Sequence, residues 1–199
     1  MLLQAPPPML RPALPAFAFA PALAAALGLA GCDHDSPLDT VVDSAQDAAV
    51  WHDDAMKILA ALPRVVASFK PSEAAAPFTT SYRTGPVFGA SATYAADGGR
   101  QLVIRVESGN IRDRAATLAK GHANPGEAFA SSEVTVHGQK AALHWNSLGR
   151  TADVVYVLQR RFVVELRVVP AQSDDEVVQL AEAMDVGPLQ GLVLEGVTR

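Results

Sequence analysis

The side chains in this sequence that could do chemistry are few: one cysteine and five histidines, among 21 acidic residues. Cys32 is the only thiol, so no internal disulfide can form and a disulfide-built scaffold is excluded. His34 lies between Asp33 and Asp35, and His52 precedes Asp53 and Asp54. Both groups contain donors for a divalent metal. A zinc site, however, needs three or four fixed ligands, and neither group has the His-x-x-x-His or comparable spacing that would supply them. His137 and His144 fall on the two arms of one expected hairpin together with Glu133. A His–Glu pair there could act as acid and base, or all three could be surface positions of a sheet with no task. There is no Gly-x-Ser-x-Gly elbow, no phosphate-binding loop and no dinucleotide fingerprint. Gly98-Gly99 is a turn. The residues assign no catalytic group, no metal and no cofactor.

Charge narrows the range of partners. Between Cys32 and Met56 there are seven Asp and no Lys or Arg, whereas from Lys57 onward fourteen acidic residues face fifteen basic ones. The body is therefore nearly neutral. Nothing in it resembles a basic groove, which excludes nucleic acid as the expected partner. Nor is there a polybasic patch to seek anionic lipid. Apolar residues make up 49% and charged residues 19%, the composition of a globular chain.

The first 32 residues carry the strongest pattern. Arg11 is the first basic residue, and Ala13 to Leu29 contains only Ala, Leu, Phe, Gly and Pro. This reads as the apolar region of a secretory signal; Pro12, Pro15 and Pro21, with its short length, make it a poor spanning helix. Translation starting at Met9 instead of Met1 would place Arg11 close to the start. The run closes on Leu29-Ala30-Gly31-Cys32, which resembles the lipobox of bacterial lipoproteins at every position. The resemblance covers the targeting segment alone. It implies cleavage between Gly31 and Cys32, a diacylglycerol thioether on Cys32, and acylation of the new amino terminus, as by palmitate. Two or three acyl chains anchor durably where a single one does not. A thiol so modified is no catalytic nucleophile. The residues alone also allow a free or buried cysteine behind an ordinary cleavage site. Asp33 resembles the inner-membrane retention signal of enteric bacteria; other bacteria sort differently.

The elements beyond the anchor must position whatever the protein binds. Residues 32–38 read as the acylated cysteine and a polar tether, and residues 39–199 as one α+β domain. A helix is expected over Asp39–Leu62, with Val41, Ala45, Ala48, Ala55, Leu59 and Leu62 at helical spacing and Pro63 at its end. Asp35, Asp39, Asp43 and Asp47 line one side of its first turns, a cation-binding surface or a solvated face near a positive helix end. Residues 64–84 read as a loop with one short strand near Val65–Phe69. Val87–Ala95 and Gln101–Glu107 form a hairpin around Asp97-Gly98-Gly99, with Leu102, Ile104 and Val106 on the core face. A short helix runs from Asn110 to Ala119, burying Ile111, Ala115 and Leu118.

After a loop over 122–130, strands at 132–137, 140–146, 152–158 and 162–169 form a meander. A Gly138-Gln139 turn sets Val136 against Ala141, Val134 against Leu143 and Glu133 against His144. A turn at Gln159–Arg161 sets Tyr156 against Val164, Leu158 against Phe162 and Asp153 against Arg167. Trp145 and Tyr156 fall in the core register. Trp51 is either a docking aromatic or a helix–sheet contact. Pro170 stops the sheet. Ser173-Asp174-Asp175-Glu176 reads as a capping box ahead of a helix that buries Val177, Leu180, Ala181 and Met184 and ends at Gly187-Pro188. The tail from Leu189 to Val197 packs or adds an edge strand.

The expected fold is thus an antiparallel sheet, hairpin plus four-strand meander, packed with an N-terminal and a C-terminal helix. The element order resembles that of PsbP/Mog1-like domains found in some envelope lipoproteins, a likeness of topology that transfers no activity. Three functions fit this reading. The first is a lipid-anchored, periplasm-facing, non-catalytic envelope protein that binds or stabilises another envelope component. The second is a ligand-carrying or inhibitory, immunity-type module. The third is an envelope enzyme whose site assembles from scattered residues.

Overall fold

The computed structural model describes residues 37–82, 85–109, 111, 115, 116 and 129–196. Gly31, Cys32 and the signal before them, together with His34, Asp35 and Leu118, lie outside these residues. The chain divides between Ser36 and Pro37, and the second unit is described below.

Helix α1 spans Pro37–Ala61 and stops before Pro63, whose ring disfavours helical geometry in the residue ahead of it. Among the described residues no helix is long and apolar enough to cross a membrane. The face that α1 buries is rotated from the expected one. Ala48 is exposed and Leu59 half-buried, while Asp54, Ala55, Ile58 and Leu62 are buried and Trp51 packs against the core. Of the four spaced aspartates only the Asp47 side chain is described, and it is half-buried.

Eight strands follow: β1 (Lys70–Pro71), β2 (Ala76–Tyr82), β3 (Gly85–Ala96), β4 (Arg100–Gly109), β5 (Phe129–Val136), β6 (Gln139–Asn146), β7 (Thr151–Leu158) and β8 (Phe162–Val169). They form one antiparallel sheet in the order β1-β3-β4-β8-β7-β6-β5, with β2 also on β3. Strand β2 falls in the stretch expected to be a loop, where Pro77 hides the pattern; at a sheet margin a proline is tolerated. Val66 and Phe69 form only an isolated bridge.

Alternation along the strands sends Phe88, Tyr94, Leu102, Ile104, Val106, Val154, Tyr156, Phe162, Val164 and Leu166 to one face, all of them buried. Helix α1 crosses this face over β2 and β3, and α2 (Asp175–Ala183) covers β5, β7 and β8. Fully burying one such side chain contributes about 1.5–3 kcal/mol, so this face holds the domain together.

The last strand pair has the expected register: Tyr156 faces Val164, Leu158 faces Phe162 and Asp153 faces Arg167. The β5–β6 pair is shifted by two residues, with Val136 opposite Gln139, Val134 opposite Ala141 and His144 opposite Ser131. The turn is His137-Gly138, both at positive φ (47° and 71°). A two-residue hairpin needs that conformation at both central positions, and glycine takes the second readily. A slip of two leaves every side chain on its expected face.

Asp174, not Ser173, caps α2, its Oδ1 accepting from the Asp175 N–H at 3.0 Å; Glu176 reaches back to the Gln172 N–H at 2.6 Å. Gly187-Pro188 does not end α2 but opens a further turn, α3 (Gly187–Gln190), because proline suits the first turn of a helix. Leu189 in this turn and Leu194 in the tail beyond it are buried, and the Gly196 N–H donates to Asp54 at 2.7 Å.

Two buried tyrosines make opposite predictions. The Tyr94 hydroxyl donates to the Pro63 carbonyl at 2.6 Å, whereas the Tyr156 hydroxyl has no hydrogen-bond partner among the described residues. Tyr94→Phe is expected to cost about 1 kcal/mol, and Tyr156→Phe to be neutral or stabilising by up to about 1 kcal/mol, because it removes an unsatisfied buried group. Denaturant midpoints read both. Burial pushes the Tyr94 phenol from 10.0 up to about 12 and raises Tyr156 as well, helped by the Glu182 carboxylate. The unfolded chain therefore releases these protons first. Stability is full below about pH 10 and falls as pH rises toward the folded values.

Candidate binding face

The other face of the sheet is where charge collects. Three rows of same-face neighbours cross it: Phe78, Gly89, Glu107, Val163, Val157; then Ser91, Arg105, Glu165, Val155, Ala142, Glu133; then Thr93, Val103, Arg167, Asp153, His144, Ser131. Each pairing is a cross-strand contact about 5 Å long, which is how side chains distant in sequence come to share one surface.

The acids of the central strands meet arginines. Arg105 Nε donates to Glu107 Oε1 at 2.5 Å, and the same guanidinium lies 4.2 Å from the centre of the Phe78 ring. Arg167 Nε donates to Asp153 Oδ1 at 2.5 Å and has Glu165 Oε1 at 3.6 Å from its Nη2. These groups are partly withdrawn from water: the Glu107 side chain is 2% exposed, Asp153 16% and Glu165 17%. Burial pushes the Glu165 carboxyl up. The Arg167 and Arg105 charges oppose that shift, and the Asp153 and Glu107 charges add to it. Burial thus disfavours the charged form of Glu165.

Beside this band the face turns apolar. Helical residues Ile111 and Ala115 pack against Val155 and Val163; the helix expected from Asn110 to Ala119 otherwise lies, apart from residue 116, outside the described residues. Next to Ala115 opens a groove of about 440 Å³, floored by Ala142, Val155 and Val157 and rimmed by Ser131 and Glu133. A concave apolar floor with a few polar groups at its margin is the usual make-up of a ligand or peptide site.

The raised Glu165 carboxyl carries a testable consequence. Its folded pKa lies above the ordinary 4.5, so as pH rises the unfolded chain loses this proton first. The stability it contributes is full below about pH 4.5 and is lost as pH climbs through the folded value. Glu165→Gln is expected to raise the thermal midpoint at pH 7 and to leave it unchanged at pH 4; equal shifts at both values would contradict the sign. This acid stands directly opposite Val155, a residue of the groove floor.

The sequence singled out other residues, and the structure separates them. His144 is buried, 3% exposed, on this face opposite Asp153 and Ser131. It is not on a solvated surface, because the face it shares is itself partly covered. His137 sits in the hairpin turn, where its N–H donates to Glu182 Oε1 at 2.8 Å and its ring centre lies 6.1 Å from that of Tyr156. Glu133 pairs with Lys140 at 2.8 Å. His137 lies in the turn, apart from Glu133 and His144, which stand at diagonal positions of β5 and β6 on one face.

His52 and Asp53 are exposed while Asp54 is buried, bound to Lys57 Nζ at 2.9 Å and to the Gly196 N–H. Among the described residues no three His, Cys, Asp or Glu side chains stand close enough to hold a metal ion. Trp51 is half-buried and packs against the core, and a side chain at Gly196 would meet its indole. What sequence reasoning missed is Glu165 and the burial of Glu107. The available signal was the pairing of Arg105 and Glu107 on one strand with Glu165 and Arg167 on another, all at alternate positions.

Comparison of the chain with protein-family models, with curated proteins and with solved structures finds no match.

Proposed function

We propose that this chain is a lipid-anchored, periplasm-facing envelope protein, held by diacylglycerol on Cys32 after cleavage between Gly31 and Cys32. Its domain binds another envelope component and performs no reaction. The groove of about 440 Å³ beside the Arg105–Glu165 band supports the binding part of this reading. Its floor is apolar, and the acids beside it are matched by Arg105 and Arg167, an arrangement that suits recognition of a partner more than proton transfer. The lipobox residues support the anchor.

A ligand-carrying module is the second reading, favoured by the same groove lying between the sheet and the helical residues at Ala115. Ala142→Arg fills the groove floor with a long cation. Cross-linking in intact cells followed by mass spectrometry is expected to find one protein partner that this variant loses. If no protein is lost but native mass spectrometry shows a small molecule leaving with the variant, the second reading replaces the first. For the anchor, Cys32→Ser is expected to abolish lipid labelling and to move the protein out of the membrane fraction. Unchanged fractionation overturns that part.

A further inference from the structure

The sheet has two unlike margins. At one, β1 and β2 share β3, Pro71 and Pro77 stand in them, and α1 packs across β2. Prolines, short strands and helical cover are the usual ways of blocking strand addition. At the other, α2 packs over one face of β5 (Phe129–Val136) but leaves its outer edge, and β5 pairs only with β6 among the described residues. It runs eight residues with no proline, glycine or bulge, and residues 130–133 and 135 are exposed. Its sequence, Ser131-Ser132-Glu133-Val134-Thr135, mixes strand-forming and small polar types.

The turn fixes which backbone groups are available. In a two-residue hairpin the flanking residues, here Val136 and Gln139, exchange both main-chain hydrogen bonds, and the pattern then alternates. Val136, Val134, Ser132 and Ala130 therefore bond to β6. Phe129, Ser131, Glu133 and Thr135 turn their N–H and C=O groups outward. We infer that this edge takes a second copy of the same chain, β5 against β5 antiparallel, about a two-fold axis at Ser132.

The strand is complementary to itself in that register. Ser131 stands opposite Glu133 of the second copy and Thr135 opposite its Phe129, so outward groups meet outward groups and about eight main-chain hydrogen bonds form. Ser132 meets Ser132 at the axis, and Val134 meets Ala130. The single charge on the strand, Glu133, faces a serine hydroxyl, and its own chain already supplies Lys140 at 2.8 Å. Moving the axis to Glu133 would set carboxylate against carboxylate, which cross-strand pairing disfavours. The axis stands perpendicular to the sheet. Both charged faces therefore lie on the same side, and the two grooves, each rimmed by Ser131 and Glu133, adjoin across it.

The test does not depend on the lipid. In the full chain with Cys32→Ser, an added cysteine is the only thiol. Ser132→Cys is expected to form a disulfide dimer under mild oxidation, because non-hydrogen-bonded antiparallel neighbours lie within bridging distance. Thr135→Cys is expected to form at least tenfold less, its two copies being ~20 Å apart in this register. Adding Ser131→Pro to Ser132→Cys removes only an outward N–H. It should leave the far-UV spectrum and the melting midpoint nearly unchanged and cut the dimer at least tenfold. If folded Ser132→Cys protein gives no dimer, if Thr135→Cys dimerises as well, or if the proline variant still dimerises, the pairing is wrong. A Ser132→Cys cross-link in cells to a protein of different mass, with no homodimer, would also overturn it by assigning the edge to another chain.

Discussion

Arg105→Met is expected to destabilise the domain by about 3 kcal/mol, because it withdraws a counter-charge from a buried carboxylate. Glu107 is 2% exposed, with the Arg105 guanidinium 2.5 Å away, so desolvation of the carboxylate stays in place while its nearest compensation goes. The guanidinium's position over the Phe78 ring, 4.2 Å from its centre, is lost as well, though methionine keeps part of that apolar contact. The double variant Arg105→Met/Glu107→Leu should recover most of the loss, since two apolar side chains of similar size need no counter-charge. Urea midpoints for the wild type, both single variants and the double variant form a cycle that measures the pair. Additive losses would show that the two residues act independently. If the double variant is stable but loses the partner found by cross-linking, the charged band serves recognition.

The second large effect is expected at Gly89. A Cβ built there would lie 2.0 Å from the Val106 carbonyl oxygen and 3.0 Å from Glu107 Cα and from the Phe78 ring. Two of these are backbone atoms of the adjoining strand, which cannot swing aside as a side chain does. Gly89→Ala should therefore pry β3 from β4 or displace Phe78, at about 3 kcal/mol, the upper end for overpacking. Its thermal midpoint and amide exchange in β3 and β4 are the measurements. Gly98→Ala serves as a contrast, because nothing lies within 4 Å of its Cβ. There only the cost of positive φ remains.

How far the fold could be read depended on how local its causes are. Strands β3, β4 and β6–β8 are legible because each is rich in strand-forming residues and bounded by turn residues, and the β7–β8 register is legible because Asp153–Arg167 and the turn agree. The β5–β6 register depended on which residue beside Gly138 would accept positive φ. It is His137, a choice made by the turn as a whole. Strand β2 was hidden because Ala76-Pro77-Phe78 shows no alternation, and its place comes from pairing with β3. The rotation of α1 was hidden by Asp54, a buried acid that breaks the apolar stripe and is satisfied by Gly196, far along the chain.

The candidate face was half legible. The charged alternation of β4 and β8 stands in the sequence. The burial of Glu107 and His144, by contrast, depends on what packs over that face, and no local pattern records it.

The pairing of β4 with β8 has a kinetic consequence. Strands β1–β4 come from the first part of the domain and β5–β8 from the second, and within each part neighbouring strands are joined by short connections. Among the described strands, only the β4–β8 ladder, Gln101 with Val169 through Glu107 with Val163, stitches the two parts across a long stretch of chain. Closing that stretch loses chain entropy before its contacts form, so this ladder sets the contact order and the pace of folding. Its core side carries Leu102, Ile104, Val106, Val164 and Leu166, all fully buried. The ladder that closes the longest stretch of chain is thus backed by fully buried apolar side chains, and until it closes, two half-sheets stand with open edges.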